Sequence, residues 1–221
     1  MDILNIWLAN INEPGTIAHK LRQYIVKEDW LEANVHWTKS SRNQFLASRA
    51  VFREIVSRYL KTKQPKLANK ESIGTYVPSL GKTNGLYFSI AHSDKKMLVA
   101  ISRTRRIGVD VERIRSIPNL GELCSRLGIN TKNSFDNQPT CRKLLLLLQF
   151  WTDIEAIAKS KGIGVFKELS TSFDSSRLLN RPKWIKLDKH LLLSVPFSPH
   201  YIASLAVEGH NEIDMNIINW S

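Results

Sequence analysis

The hydrophobic pattern of this chain predicts an α+β fold. Two long segments carry apolar residues at helical spacing, and several short segments alternate apolar and polar residues with a period of two. The two kinds follow one another in mixed order rather than in strict alternation. A length of 221 residues suffices for one sizeable domain or for two small ones sharing a core.

In chain order, Met1 to Leu8 reads as an opening strand; it lacks the basic start of an export signal. The turn Glu13-Pro14-Gly15 leads into a helix around Ile17–Leu31. Phe45, Leu46, Val51, Phe52, Ile55, Val56 and Leu60 recur near helical spacing and predict an amphipathic helix from about Ser41 to Leu60, with Arg42, Arg49, Arg53 and Arg58 on its other face. The basic run from Lys61 to Lys66 reads as an exposed loop. Leu86–Ile90, Met97–Ile101 and Ile107–Glu112 are strand signals separated by turns, and a three-stranded meander is their simplest arrangement. Pro118 suits the entry to a short helix over roughly 119–127, and a long helix runs from about Cys141 to Lys161, ended by Gly162-Ile163-Gly164. Trp184–Leu187, Leu191–Val195, Ile202–Val207 and Ile217–Trp220 complete the chain as strands.

The most informative of these segments is Ile107-Gly108-Val109-Asp110-Val111-Glu112. Residues i and i+2 of a strand point to one face, roughly 6.6–7 Å apart. Asp110 and Glu112 therefore project together, with Gly108 leaving room beside them. Mg²⁺ and similar hard cations are held by one or two such carboxylates plus substrate phosphates; two solvent-facing acids on an edge strand are the alternative. On the long helix Thr152, Glu155 and Lys159 share a face, with Phe150, Trp151, Ala156 and the leucine run supplying the buried side. An i,i+4 Glu155–Lys159 pair on a solvated surface explains that spacing equally well.

Composition bounds the partners. A net charge of +12 and a pI near 9.8 favour anionic ones. Cys124 and Cys141 form neither a disulfide framework nor a metal knuckle. The longest unbroken apolar run, Leu144–Leu148, is too short to span a bilayer, and the chain reads as cytoplasmic. A nucleic-acid-binding module is the competing class for a basic chain, but no nucleic-acid motif accompanies the Lys61–Lys70 stretch. His19, His36, His190, His200 and His210 show no ligand spacing and read as surface or packing residues, as do Trp7, Trp30, Trp37, Trp184 and Trp220.

Taken together, Gly108-Val109-Asp110-Val111-Glu112 and Trp151-Thr152-x-x-Glu155-Ala156-x-x-Lys159-x-x-Gly162-x-Gly164 resemble the paired signature of 4′-phosphopantetheinyl transferases. Phe88-Ser89-Ile90-Ala91-His92-Ser93 resembles that superfamily's Phe-Asn-x-Ser-His-Ser segment, Gly81-Lys82 its Gly-Lys-Pro turn, and Arg42 with Phe45-Leu46-Ala47-Ser48-Arg49 its N-terminal helix. Order and length match the larger, monomeric type, the holo-acyl-carrier-protein synthases of fatty acid, siderophore and polyketide assembly. The resemblance implies two similar α+β halves, 1–105 and 106–221, related by pseudo-twofold symmetry with the cofactor site between them. It implies transfer of the phosphopantetheine arm of coenzyme A to a serine of an acidic acyl or peptidyl carrier protein. Asp110, Glu112 and Glu155 would hold Mg²⁺, and Glu155 would activate the serine hydroxyl. His92 would face the 3′-phosphate, Lys82, Arg49 and Arg42 would surround the nucleotide with positive charge, and Lys159 would contact the phosphates. The chain departs from the pattern at Ile154, where the family has a lysine that faces phosphate, and at Ser89, Ala91 and Thr83. A weakened or inactive relative that still binds carrier protein is the alternative.

Overall fold

The computed structural model describes residues 3–35, 38–61, 76–77, 86–127, 138–165, 184–187, 189–209, 211 and 213–221. Four layers result: a helix, two sheets, and a second helix. Strand β1 (Ile3–Asn10) lies between β4 (Lys96–Ser102), antiparallel, and β9 (Asp214–Asn219), parallel. Adding β3 (Leu86–Ser93) and the short β2 (Tyr76–Val77) gives a five-stranded sheet of order β2-β3-β4-β1-β9. The second sheet has the order β5-β8-β7-β6, from β5 (Ile107–Arg113), β6 (Trp184–Leu187), β7 (His190–Ser194) and β8 (Tyr201–Glu208). The described residues are thus α+β, as the pattern predicts. The strands bear out the period-two reading to within a few residues.

Alternation along each strand sends its two residue sets to different cores. In the first sheet Trp7, Met97, Val99, Ile101, Leu86 and Phe88 meet the helix α3 (Lys39–Leu60) through Val51, Phe52 and Ile55. Leu4, Ile6, Leu98 and Ala100 point the other way, onto Ile107, Val109, Val111, Leu205 and Val207 of the second sheet. The far face of that sheet takes α5 (Thr140–Lys161), with Ala156 and Ile157 on Leu192 and Ala206. α5 stops where a positive φ of 69° at Gly162 lets the chain leave the helix.

Three expectations change in detail. The segment around Ile17–Leu31 is not one helix but α1 (Pro14–Lys20), a 3₁₀ turn (Arg22–Tyr24) and α2 (Lys27–Ala33). Pro14 sits inside the first turn of α1, where its missing N–H costs nothing. Extended, β-branched Ile25-Val26 separates the pieces, and the Asp29 carboxylate accepts the Val26 N–H to restart the helix. Arg53 does not lie on a solvated face: it is buried and forked onto both oxygens of Asp29, fastening α3 to α2. The meander stops at two strands. β3 and β4 form a hairpin over a two-residue loop with Asp94 in the left-handed region, but β5 leaves to pair with β8.

The β4–β5 connection, which contains Arg105, is where the chain passes from one sheet to the other. There β3 and β5 come edge to edge. β5 is an outer strand of its sheet, and two of its backbone N–H groups are satisfied by side chains of β3: Val109 donates to Ser89 Oγ and Arg113 to Ser93 Oγ, each at 3.0 Å. The serine at position 89 thus serves as the seam between the sheets.

Candidate functional site

The edge-to-edge meeting of β3 and β5 leaves a cleft of about 470 Å³ flanked by α3 and α5. Its ionisable lining is Arg49, His92, Asp110, Glu112, Glu155 and Lys159; its aromatic lining includes Phe45, Phe88 and Trp151. Six residues singled out along the sequence are therefore brought together. Arg42, on the first turn of α3, does not line the cleft among the described residues, and Lys82 lies outside them.

Gly108 explains how the acids and α5 come so close. A Cβ on it would stand 1.9 Å from the Ala156 carbonyl oxygen and 2.6 Å from the Ser160 nitrogen. The room it leaves is occupied by helix backbone. With α5 seated there, Lys159 Nζ reaches Asp110 Oδ1 at 2.7 Å, and both side chains are buried. The surface Glu155–Lys159 pair that the spacing allowed is replaced by this strand-to-helix ion pair. Glu112, half-buried, accepts the Ser93 hydroxyl at 3.0 Å. Asp110 Oδ2 is buried with no hydrogen-bond partner in the described residues. Burial pushes the Asp110 carboxyl up to about 6; the pull of Lys159 opposes the shift, and the charges of Glu155 and Glu112 add to it.

Thr152 does not share the open face of Glu155 and Lys159. It is fully buried, its hydroxyl 2.8 Å from Ser204 Oγ. Ser204 also donates to Asp153, and Gln149 Nε2 reaches Asp153 at 2.9 Å and Ser204 at 2.8 Å. Ser204 lies opposite Asp110 in the β5–β8 ladder, so this polar cluster pins α5 to the sheet one strand away from the acid. Sequence reading missed it, because hydroxyls and amides on separate elements carry no common spacing.

Arg49 is partly committed elsewhere, with Glu32 Oε2 at 3.4 Å and its guanidinium 5.2 Å from the centre of the Phe45 ring. Ile154 faces away from the cleft altogether. It is wholly buried with Leu147, Phe150 and Cys124, the last on α4 (Leu120–Arg126). An aliphatic residue there does not vacate a phosphate contact of this cleft; it completes a core. Ile154→Lys is accordingly expected to lower thermal stability by several kcal/mol, from burying an ammonium without a partner, and to leave turnover no higher than wild type. Thermal denaturation and steady-state rates of the purified variant check both halves.

Fold and cleft define an α+β protein whose two sheets meet at an acid–base pocket within the size range of cofactor sites. No protein-family model matches the chain. The chain is, however, 28% identical over 218 residues to the 4′-phosphopantetheinyl transferase HetI of Nostoc sp. strain PCC 7120, an alignment covering 94% of this chain and 89% of that protein. This similarity supports the 4′-phosphopantetheinyl transferase superfamily for the chain. No described helix is long and apolar enough to cross a membrane.

Proposed function

We propose that this chain moves the 4′-phosphopantetheine arm of coenzyme A onto a serine hydroxyl of an acyl or peptidyl carrier protein, with Mg²⁺ as the metal. The observation that carries the reading is the gathering of Arg49, His92, Asp110, Glu112, Glu155 and Lys159 around one cleft, with α3 and β3 on one side and β5 and α5 on the other. The similarity to a transferase of that name supports it.

The donor set suits a hard cation. Three carboxylates supply oxygen, and Asp110 Oδ2 is a buried acceptor that nothing else in the described residues occupies. Among those residues no three His, Cys, Asp or Glu side chains stand close enough together to complete a metal site, so Asp110, Glu112 and Glu155 would draw in around the ion. Mg²⁺ would neutralise the pyrophosphate oxygens of coenzyme A. Lys159 supplies a second positive charge at the same spot, already held by Asp110. Glu155 takes the proton of the serine hydroxyl; the serine oxygen forms a bond to the β-phosphorus, the bridging P–O bond of the pyrophosphate breaks, and adenosine 3′,5′-bisphosphate leaves. On the α3 side of the cleft Arg49 and His92 are placed to face the 3′-phosphate.

The test is incubation with coenzyme A, Mg²⁺ and a panel of apo carrier proteins, read by intact mass. Gain of one phosphopantetheine arm is expected; no gain on any carrier would sink the reading.

The Asp110 carboxyl gives a pH prediction for the metal. An ion on Oδ2 competes with the proton, so Mg²⁺ affinity measured by calorimetry should weaken as pH falls through about 6, with protons released on binding below that pH. The same shift makes metal-free stability fall as pH rises from about 4 to about 6, because over that window the folded chain keeps a proton the unfolded chain has lost. Added Mg²⁺ should offset that fall. A metal affinity flat between pH 5 and 7 would remove Asp110 from the metal set.

A further inference from the structure

Two serines of β3 stand alike against the edge of β5, but only one of them also holds an acid. Ser89 Oγ accepts the Val109 N–H and Ser93 Oγ accepts the Arg113 N–H, each at 3.0 Å. Ser93 makes a second bond, donating its hydroxyl to Glu112 Oε2 at 3.0 Å. A backbone N–H only donates and an ionised carboxylate only accepts, so Ser93 stands between them as acceptor and donor at once. The two bonds run in one direction, from Arg113 through the serine to Glu112, and each strengthens the other.

Ser93 is itself fixed from several sides. It ends β3, and Asp94, the next residue, turns the chain with a positive φ of 51°. Asp94 Oδ2 accepts from Arg113 at 3.1 Å and from the Tyr201 hydroxyl at 3.4 Å, and its carbonyl accepts from Gln44 Nε2 at 2.6 Å. The hairpin tip is thereby tied to β5, β8 and α3. Ser93 is not among the described residues that line the cleft, whereas Glu112 is. Any effect of the serine on the cleft therefore passes through that glutamate, a long side chain with much rotamer freedom to lose.

We infer that Ser93 is a positioning residue for Glu112, holding the carboxylate in the orientation from which it joins Asp110 and Glu155 on the metal. The inference rests on the metal reading above. Hydrogen-bond partners orient a metal's ligands, and losing one typically weakens the metal about 10–100-fold. Ser89 supplies a matched control. It makes the same bond to the β5 backbone, with no carboxylate bonded to its hydroxyl among the described residues.

The experiment measures Mg²⁺ affinity of the full chain by calorimetry at neutral pH, with thermal denaturation alongside, for wild type, Ser93→Ala, Ser93→Thr and Ser89→Ala. Ser93→Ala is expected to bind Mg²⁺ about tenfold more weakly. Ser93→Thr keeps the hydroxyl and should stay within about threefold of wild type. Ser89→Ala should lower Tm, because it strands a buried N–H, yet keep Mg²⁺ affinity within about threefold. Half-maximal transfer to an apo acyl carrier protein should need about tenfold more Mg²⁺ in Ser93→Ala, with most of the wild-type rate recovered at saturation by mass action. Unchanged affinity in Ser93→Ala overturns the inference, as does an equal loss in Ser89→Ala, which would make the seam alone responsible. A rate that excess Mg²⁺ does not restore overturns it too, since metal does not cure a damaged fold. A wild type that binds no Mg²⁺ sinks the metal reading first, and this inference falls with it. Should Ser93→Ala fail to fold, Ser93→Cys, close in size but a weak donor, decides by the same comparison.

Discussion

Asp110→Asn is expected to reduce phosphopantetheinyl transfer at least about 10²-fold, the scale of losing one electrostatic contact to a developing charge. The substitution keeps the shape of the side chain and removes its charge. Two consequences follow from the geometry. One oxygen acceptor of the proposed metal site becomes an amide nitrogen, and the Lys159 ammonium, buried and 2.7 Å away, loses its counter-charge. The second effect also lowers stability, because a buried charge left alone is costly. Stability and catalysis therefore have to be measured together. The useful control is Lys159→Met, which removes the ammonium instead and leaves Asp110 more easily protonated. If the carboxylate acts through the metal, Asp110→Asn should lose Mg²⁺ binding, whereas Lys159→Met should still bind Mg²⁺ but with its pH dependence moved to higher pH. Transfer near wild-type rates by folded Asp110→Asn at saturating Mg²⁺ would take Asp110 out of the reaction.

Local geometry in this protein is written in local sequence, and the site benefits from that. The period-two run from Ile107 to Glu112 places both acids on one face, and β5 runs from Ile107 to Arg113. Likewise the helix ended by Gly162 places Glu155 and Lys159 on the cleft side of α5. What local pattern does not carry is the choice of partner. β5 could pair with β4 next to it in the chain, or with β8 nearly a hundred residues on. The decision is made by the face bearing Val109 and Val111, which is buried only when it packs on Leu4, Ile6 and Leu98. The parallel return of β9 to β1 is equally remote. Helix orientation is obscured for another reason. Leucines at 144–148 put apolar side chains around most of α5, so periodicity could not tell that Ile154 faces α4 while Glu155 faces the acids. Arg53 and Lys159 show the same limit for charges: each looks like surface along the sequence, and each is buried against a carboxylate from another element.

Gly108→Ala should be the most disruptive glycine-to-alanine change among the described residues. The added carbon would meet backbone atoms of α5, not the tip of a side chain, at 1.9 Å from a carbonyl oxygen. Backbone inside a helix cannot step aside alone, so α5 has to lift from β5 as a body. Lifting opens the Ala156–Ala206 packing and stretches the Lys159–Asp110 contact at the same time. Overpacking of a rigid core costs about 1–3 kcal/mol, and a clash against fixed backbone belongs at or above the top of that range. For a chain of this size about 3 kcal/mol corresponds to a fall in Tm of about 6–12 °C. The same displacement moves Glu155 and Lys159 away from Asp110 and Glu112, so activity should fall even well below the new Tm, with added Mg²⁺ unable to restore it. A second change separates crowding from damage to the site. Ala156→Gly removes a side chain from α5 but leaves its carbonyl where it is, so it should not rescue Gly108→Ala. A Gly108→Ala protein that melts and turns over like wild type would mean that α5 is not seated on β5 at this glycine, and the route by which Lys159 reaches Asp110 would have to be drawn again.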